Sequence, residues 1–202
     1  MIYNKSTKEL LTESAVELFS KYPVEKISIN DIAKNCGLSS RTFYNYFQDK
    51  YELITWVYIS KLERYYSLHS YNIDFSDFMY FSAKTIYDNI SFYINVSSYK
   101  GQNNLRESLL IPMRSIYLRI IQEVYHDETT EEIYTSLTFF LHGSINYIYQ
   151  LIESQNIISP EQATCIFEKN LPANLKKYLK ENDYLFPSIC TFRDVASSMR
   201  FV

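Results

Sequence analysis

Apolar positions recur at helical spacing along most of the chain, and the polar positions between them mark where helices begin and end. Leu10, Leu11, Ala15, Leu18 and Phe19 form one stripe of a first helix. Ser6 and Glu9 stand three residues apart, the spacing of a capping box, so that helix starts near Ser6 or Thr7. Pro23 ends it, because proline disfavours helical geometry in the residue before it. A second short helix is predicted from about Asn30 to Asn35, with Ser28 as its cap and Ile29, Ile32 and Ala33 facing inward. Gly37 follows, where a helix C-terminus favours a left-handed residue. Ser39 or Ser40 can cap a third helix from Arg41 to Phe47, which sets Phe43 and Phe47 on one face. Asp49 is placed to cap a fourth helix over residues 50 to about 67.

Beyond Asn72 the pattern lengthens. Residues 76 to about 98, 104 to about 125, 130 to about 154 and 159 to about 181 all read as long helices. Pro112 lies inside one of these, so that helix either kinks there or begins between Leu110 and Pro112. Pro172 divides the last segment in the same way. Residues after Tyr184 lose periodicity. The expected fold is all-α: an N-terminal three-helix helix-turn-helix unit over residues 1–50, an antiparallel bundle of four to five long helices over 51–184, and an irregular tail over 185–202.

Composition supports this reading. There are only 3 Gly and 5 Pro in 202 residues, and sheets need many more turns than that. The 20 Tyr and 13 Phe suit either a tyrosine-rich core or a lined cavity or interface. Net charge is -3. Residues 1–50 hold seven Lys/Arg and six Asp/Glu, a net of +1, which leaves -4 for the remainder. The sign suits DNA at the front, though the amount decides nothing. Cys36, Cys165 and Cys190 are far apart and form no CxxC pair, so neither a disulfide framework nor a metal site is expected, and a reducing cytoplasm fits. Neither a signal peptide nor a membrane span is apparent, which points to an intracellular, soluble chain.

Ile29 to Cys36, the turn Gly37-Leu38-Ser39, and Ser40 to Phe47 satisfy helix-turn-helix spacing. Ala33 is small where the two helices must approach, and Leu38 can plug the angle between them. The third helix leaves Ser39, Ser40, Arg41, Thr42, Tyr44, Asn45 and Tyr46 outward, groups that reach base edges and phosphates in the major groove. Periodicity alone leaves DNA binding level with any other small helical hairpin.

The unbroken run of Ser28, Asp31-Ile32-Ala33, Gly37-Leu38-Ser39, Phe43-Tyr44, Phe47 and Lys50 to Leu53 resembles the signature of the tetracycline-repressor (TetR) family. It departs at Tyr46, where histidine is frequent. The resemblance implies a regulator, most simply a repressor, that binds double-stranded operator DNA of near-palindromic sequence. It places Ser28 on a phosphate, Ser39, Ser40, Arg41 and Asn45 on bases, and Thr42, Tyr44, Tyr46 and Lys50 on the backbone. Tyr44 has a competing reading as core packing. The resemblance also implies a homodimer through residues about 130–181, where the segment 130–154 is apolar nearly all round and Gly143 admits a close backbone.

A narrower resemblance, to activators of dihydroxyacetone kinase operons, rests on residues 49–56, His142-Gly143 and 158–162, and implies a protein coactivator as an alternative to a small-molecule effector. Trp56, Tyr87, Tyr93, Tyr117, Tyr134 and His142 are the candidate pocket, with His126 a weaker one. No cofactor is implied. The usual enzyme motifs are missing, and His69, His126 and His142 have no ligand spacing. A helical protein-interaction module is the remaining alternative, and steep salt dependence would separate a DNA binder from it.

Overall fold

The computed structural model describes residues 5–69 and 72–179; the predicted tail over 185–202 lies outside the described residues. Within them the chain is helical, with no strand. Helix α1 (Thr7–Lys21) starts on the expected capping box, Ser6 and Glu9 each serving the other's backbone N–H. It buries Leu11, Ala15 and Phe19 completely. Leucine and phenylalanine buried to that extent stabilise the fold by about 1.5–3 kcal/mol each. A 3-10 turn (Val24–Lys26) leads into α2 (Ile29–Asn35), and α3 spans Ser40–Tyr44. Helix α3 is shorter than predicted. Its last turn tightens, yet the Phe47 amide still reaches the Phe43 carbonyl at 3.1 Å.

Ser14 locks the front unit together. Buried on α1, it donates to the Ile32 carbonyl at 2.7 Å and accepts from Asn35 Nδ2 at 3.1 Å. A polar side chain in a core is tolerated because both of these bonds are made.

Helix α4 (Lys50–His69) runs from this unit into the rear bundle and buries Leu53, Ile54, Val57, Tyr58, Leu62 and Tyr66. The single helix predicted over 76–98 is in fact two, α5 (Phe75–Tyr87) and α6 (Ile90–Ser97), broken at Asp88 and Asn89. Helix α5 packs against α10 whereas α6 packs against α1, and one straight helix could not face both. At the α6–α1 contact Phe92 meets Phe19 (ring centroids 6.3 Å apart), and Asn95 Nδ2 donates to the Phe19 carbonyl at 2.7 Å.

The next predicted helix also divides, into α7 (Leu105–Ser108) and α8 (Leu110–Arg119). Pro112 therefore lies in the first turn of α8, where its missing N–H costs nothing. A π-helical turn (Ile120–Val124) continues α8. Helix α9 (Glu131–Glu153) is capped by Thr130, and α10 (Pro160–Asn170) starts on a Ser159–Gln162 capping box with proline in the first turn. Pro172 separates α10 from a 3-10 turn (Ala173–Tyr178), so the last predicted segment is two pieces.

Buried side chains from Leu11 to Tyr178 form one continuous cluster that includes both predicted units. Cys36 is a free, partly buried thiol.

Candidate nucleic-acid interface

The turn between α2 and α3 is built from local hydrogen bonds. Gly37 has φ of 73°, its amide donates to the Lys34 carbonyl at 3.0 Å, and the Leu38 amide donates to the Ala33 carbonyl at 2.8 Å. This pair of bonds is the Schellman closure, which needs a left-handed residue where Gly37 stands. Leu38 then packs partly buried against the core. Phe43 and Phe47 are buried, which fixes the inner face of α3 and sends the remaining side chains outward.

The outward side chains divide by whether they are already occupied. Ser39 caps α3 by accepting from the Thr42 amide at 3.1 Å, and the two hydroxyls share a 2.9 Å hydrogen bond. Ser40 Oγ donates to Asn30 Oδ1 at 3.4 Å. By contrast Arg41, Tyr44, Asn45 and Tyr46 are exposed, and their polar ends make no hydrogen bond or ion pair among the described residues. Tyr44 is 58% exposed and touches Phe43 only edge-on, so it is not core packing. Arg41 and Asn45 are four residues apart in helical backbone and so share one side.

Charge sorts in the same way. Lys5 and Lys21 pair with Glu13 and Glu17. Lys8 lies 3.2 Å from the centre of the Trp56 ring, a cation–π contact. Lys50 Nζ donates to the carbonyls of Val24 and Ile27 at 2.7 and 2.8 Å, tying the start of α4 to the α1–α2 connection. Burial pulls the Lys50 pKa below the ordinary lysine range, against an opposing pull from Glu25. That leaves Lys26, Lys34 and Arg41 exposed and unpaired among the described residues. Lys26 and Lys34 were missed in the sequence, where they cannot be told from the lysines that pair.

Ser28 caps α2. Its Oγ donates to Asp31 Oδ2 at 2.6 Å and accepts from the Asp31 amide at 3.2 Å. These bonds hold the Asp31 carboxyl below its usual pKa. A phosphate at Ser28 would meet that carboxylate and would have to break the cap bond.

Residues 11–55 match the family described as bacterial regulatory proteins, tetR family, and residues 74–172 match a transcriptional regulator C-terminal region. Together the two matches take in the helix-turn-helix and most of the rear bundle. The chain belongs to the tetR family. It is similar to the HTH-type dhaKLM operon transcriptional activator DhaS of Lactococcus lactis subsp. lactis (strain IL1403), being 31% identical over 52 residues, 26% of this chain and 28% of that relative. The solved structure of a dihydroxyacetone kinase operon activator DhaS superposes with a TM-score of 0.54 at 18% identity, over 85% of this chain and 97% of that one. That likeness establishes the fold.

This tetR-family chain also has a cavity, partly open to solvent, walled by helices α4 to α10. Of the candidate pocket residues, Tyr93 and Tyr117 line it, and Tyr87 lines a smaller pocket beside it. Trp56 instead packs on Lys8, Tyr134 lies under Arg114 at 4.4 Å, and His142 and His126 are exposed. The sequence reading missed Tyr58, Ser97 and Tyr149 in the lining, because no local signal separates a cavity tyrosine from a core one.

Proposed function

We propose that this DNA-binding regulator grips a near-palindromic operator as a homodimer, with α3 in the major groove. The observation that carries the reading is the exposed, unpartnered set Arg41, Tyr44, Asn45 and Tyr46 on a helix whose inner face is locked by Phe43 and Phe47. Arg41 and Asn45 suit bidentate contacts to guanine and adenine. Tyr44, Tyr46, Lys26 and Lys34 suit phosphates, which set register without reading sequence. Ser39, Ser40 and Thr42 act mainly by shaping the start of α3, Ser28 by capping α2, and Lys50 by placing α4.

The dimer reading is supported by Phe139, 81% exposed on α9, one turn from Gly143, whose Cα has no neighbour within 4 Å of an added Cβ. Ile111 on the adjoining α8 is 70% exposed. Helix α10 has spent its apolar face on α5. The dimer is therefore proposed through α8 and α9 rather than through the whole of residues 130–181. A two-fold pair would set its recognition helices about 34–36 Å apart.

Repression by occupying the operator in the cytoplasm is the first reading. Activation is the second, favoured by the likeness to the L. lactis transcriptional activator, and a reporter behind the operator distinguishes them by the sign of its change when the regulator is deleted.

The test begins by selecting bound duplexes from a random library and measuring affinity for the selected and a scrambled sequence. Arg41→Ala is expected to cut discrimination by about 1–3 kcal/mol while leaving the scrambled affinity nearly unchanged. Equal losses on both sequences would refute base reading by Arg41. Wild-type binding that does not weaken with salt would refute DNA binding altogether.

A further inference from the structure

An outer groove runs between α4 and α5 and shares no residue with the interior cavity. Lys61, Arg64 and Leu68 of α4 line one side, Phe81 and Lys84 of α5 the other, and Asp88 follows the end of α5. Residues 61, 64, 65 and 68 are three and four apart, so the helix sets them on one face. Tyr65 stacks on Phe81 with ring centroids 3.9 Å apart and planes 8° apart, which fixes that wall. Leu68 is left 70% exposed beside it.

The cations in the wall differ in what they already hold. Lys84 pairs with Asp88 at 2.9 Å. Lys61 is half-buried, and neither it nor Arg64 makes a side-chain hydrogen bond or ion pair among the described residues. Burial pulls the Lys61 pKa down, against an opposing pull from Asp88. Glu9 comes near enough to Arg64 to feel its charge, but its carboxylate is committed to the Ser6 amide at 2.8 Å, the main cause of its lowered pKa. Three cations against one carboxylate leave the lining at +2, although residues 51–202 as a whole carry -4.

A single lysine with a buried stem and a wet head would be ordinary. Two unpaired cations in one groove, with an exposed leucine on a stacked aromatic wall, suit a ligand with a charged end and an apolar body. Lys61 also lies about 16 Å further along α4 than Lys50, which takes the groove away from the front unit.

We propose that the α4–α5 groove binds a small organic dianion of the phosphate-monoester class, its charged end between Lys61 and Arg64 and its apolar body against Leu68 and Phe81. Two free positive charges match two negative ones, and attraction to the half-buried lysine is screened less than attraction at the open surface. The site goes beyond the DNA-binding reading and does not rest on it.

The test titrates full-length protein without DNA in a calorimeter at about pH 8, where a phosphate monoester is a dianion. The probes are phenyl phosphate, inorganic phosphate and benzyl alcohol. Phenyl phosphate is expected to bind saturably, inorganic phosphate at least tenfold more weakly, and benzyl alcohol not at all over the same concentrations. Lys61→Met is expected to weaken phenyl phosphate about tenfold. Without ligand it should melt no lower than wild type, because it removes a half-buried charge that has no partner. Asp88→Asn is expected to tighten phenyl phosphate about threefold by removing the one carboxylate and releasing Lys84.

The proposal is overturned if phenyl phosphate gives no saturable heat, or if inorganic phosphate binds as tightly, since the apolar wall then does nothing. It is also overturned if Lys61→Met keeps wild-type affinity, or if Asp88→Asn weakens binding. Loss of binding in Arg41→Ala would place the anion on α3 and overturn it too. A failure of operator binding would leave the titration standing.

Discussion

Replacing Lys50 with methionine separates two roles that the family resemblance and the geometry assign to one residue. A lysine that grips phosphate contributes to DNA affinity and little to folding, whereas one spent on the protein's own carbonyls does the reverse. Lys50 Nζ donates to Val24 O and Ile27 O at 2.7 and 2.8 Å. Methionine keeps most of the stem's volume and removes only the charge and donors. After the change Val24 O retains the Ile27 amide at 3.3 Å, so Ile27 O bears most of the loss. Charge-assisted bonds of this kind contribute about 1.5–3 kcal/mol each in a dry site. Lys50 is only half-buried, so water replaces part of that and a net loss of about 2 kcal/mol is expected. For a chain of this size that lowers the melting temperature by about 4–8 °C. Calorimetry measures the melting, and anisotropy titrations across salt concentrations measure the number of phosphates neutralised. The expected result is lower melting with an unchanged salt slope. A slope reduced by about one per subunit with unchanged melting would refute the argument and return Lys50 to the DNA backbone.

Gly37→Ala tests the turn. An added Cβ would meet nothing within 4 Å, so the φ of 73° alone sets the penalty, about 1 kcal/mol in denaturant unfolding. Gly37→Asn should cost less, because asparagine tolerates left-handed backbone; equal losses would contradict the conformational account. Phe139→Glu should convert the proposed dimer to monomer in sedimentation velocity without lowering thermal stability, since the ring is 81% exposed in the subunit. A variant that stays dimeric would remove α9 from the interface.

What the sequence by itself determined lies within a few residues along the chain. Ser6 with Glu9, Ser28 before α2, Gly37 in the turn, Ser39 before α3, Thr130 before α9 and the break at Pro172 all act through backbone groups three to five positions away, so their residue types alone place them. The buried and exposed faces of α3 followed from the spacing of Phe43 and Phe47 for the same reason.

Tertiary structure decided whatever depends on how a helix is rotated against distant neighbours. The break between α5 and α6 follows from opposite obligations to α10 and α1, over 70 residues away from each other in the case of Asn95 and Phe19. Trp56, Tyr134 and His142 share the chemistry of a pocket, yet they pack on Lys8, lie under Arg114 and face outward; Ser97 and Tyr149 look ordinary in sequence and line the cavity. The same holds at the DNA end. Lys50 and Lys34 are equivalent as letters, and only the position of two carbonyls in the preceding turn commits Lys50 to the protein and leaves Lys34 free. A charge acts on whatever lies within a few ångströms, and chain order does not determine what that is.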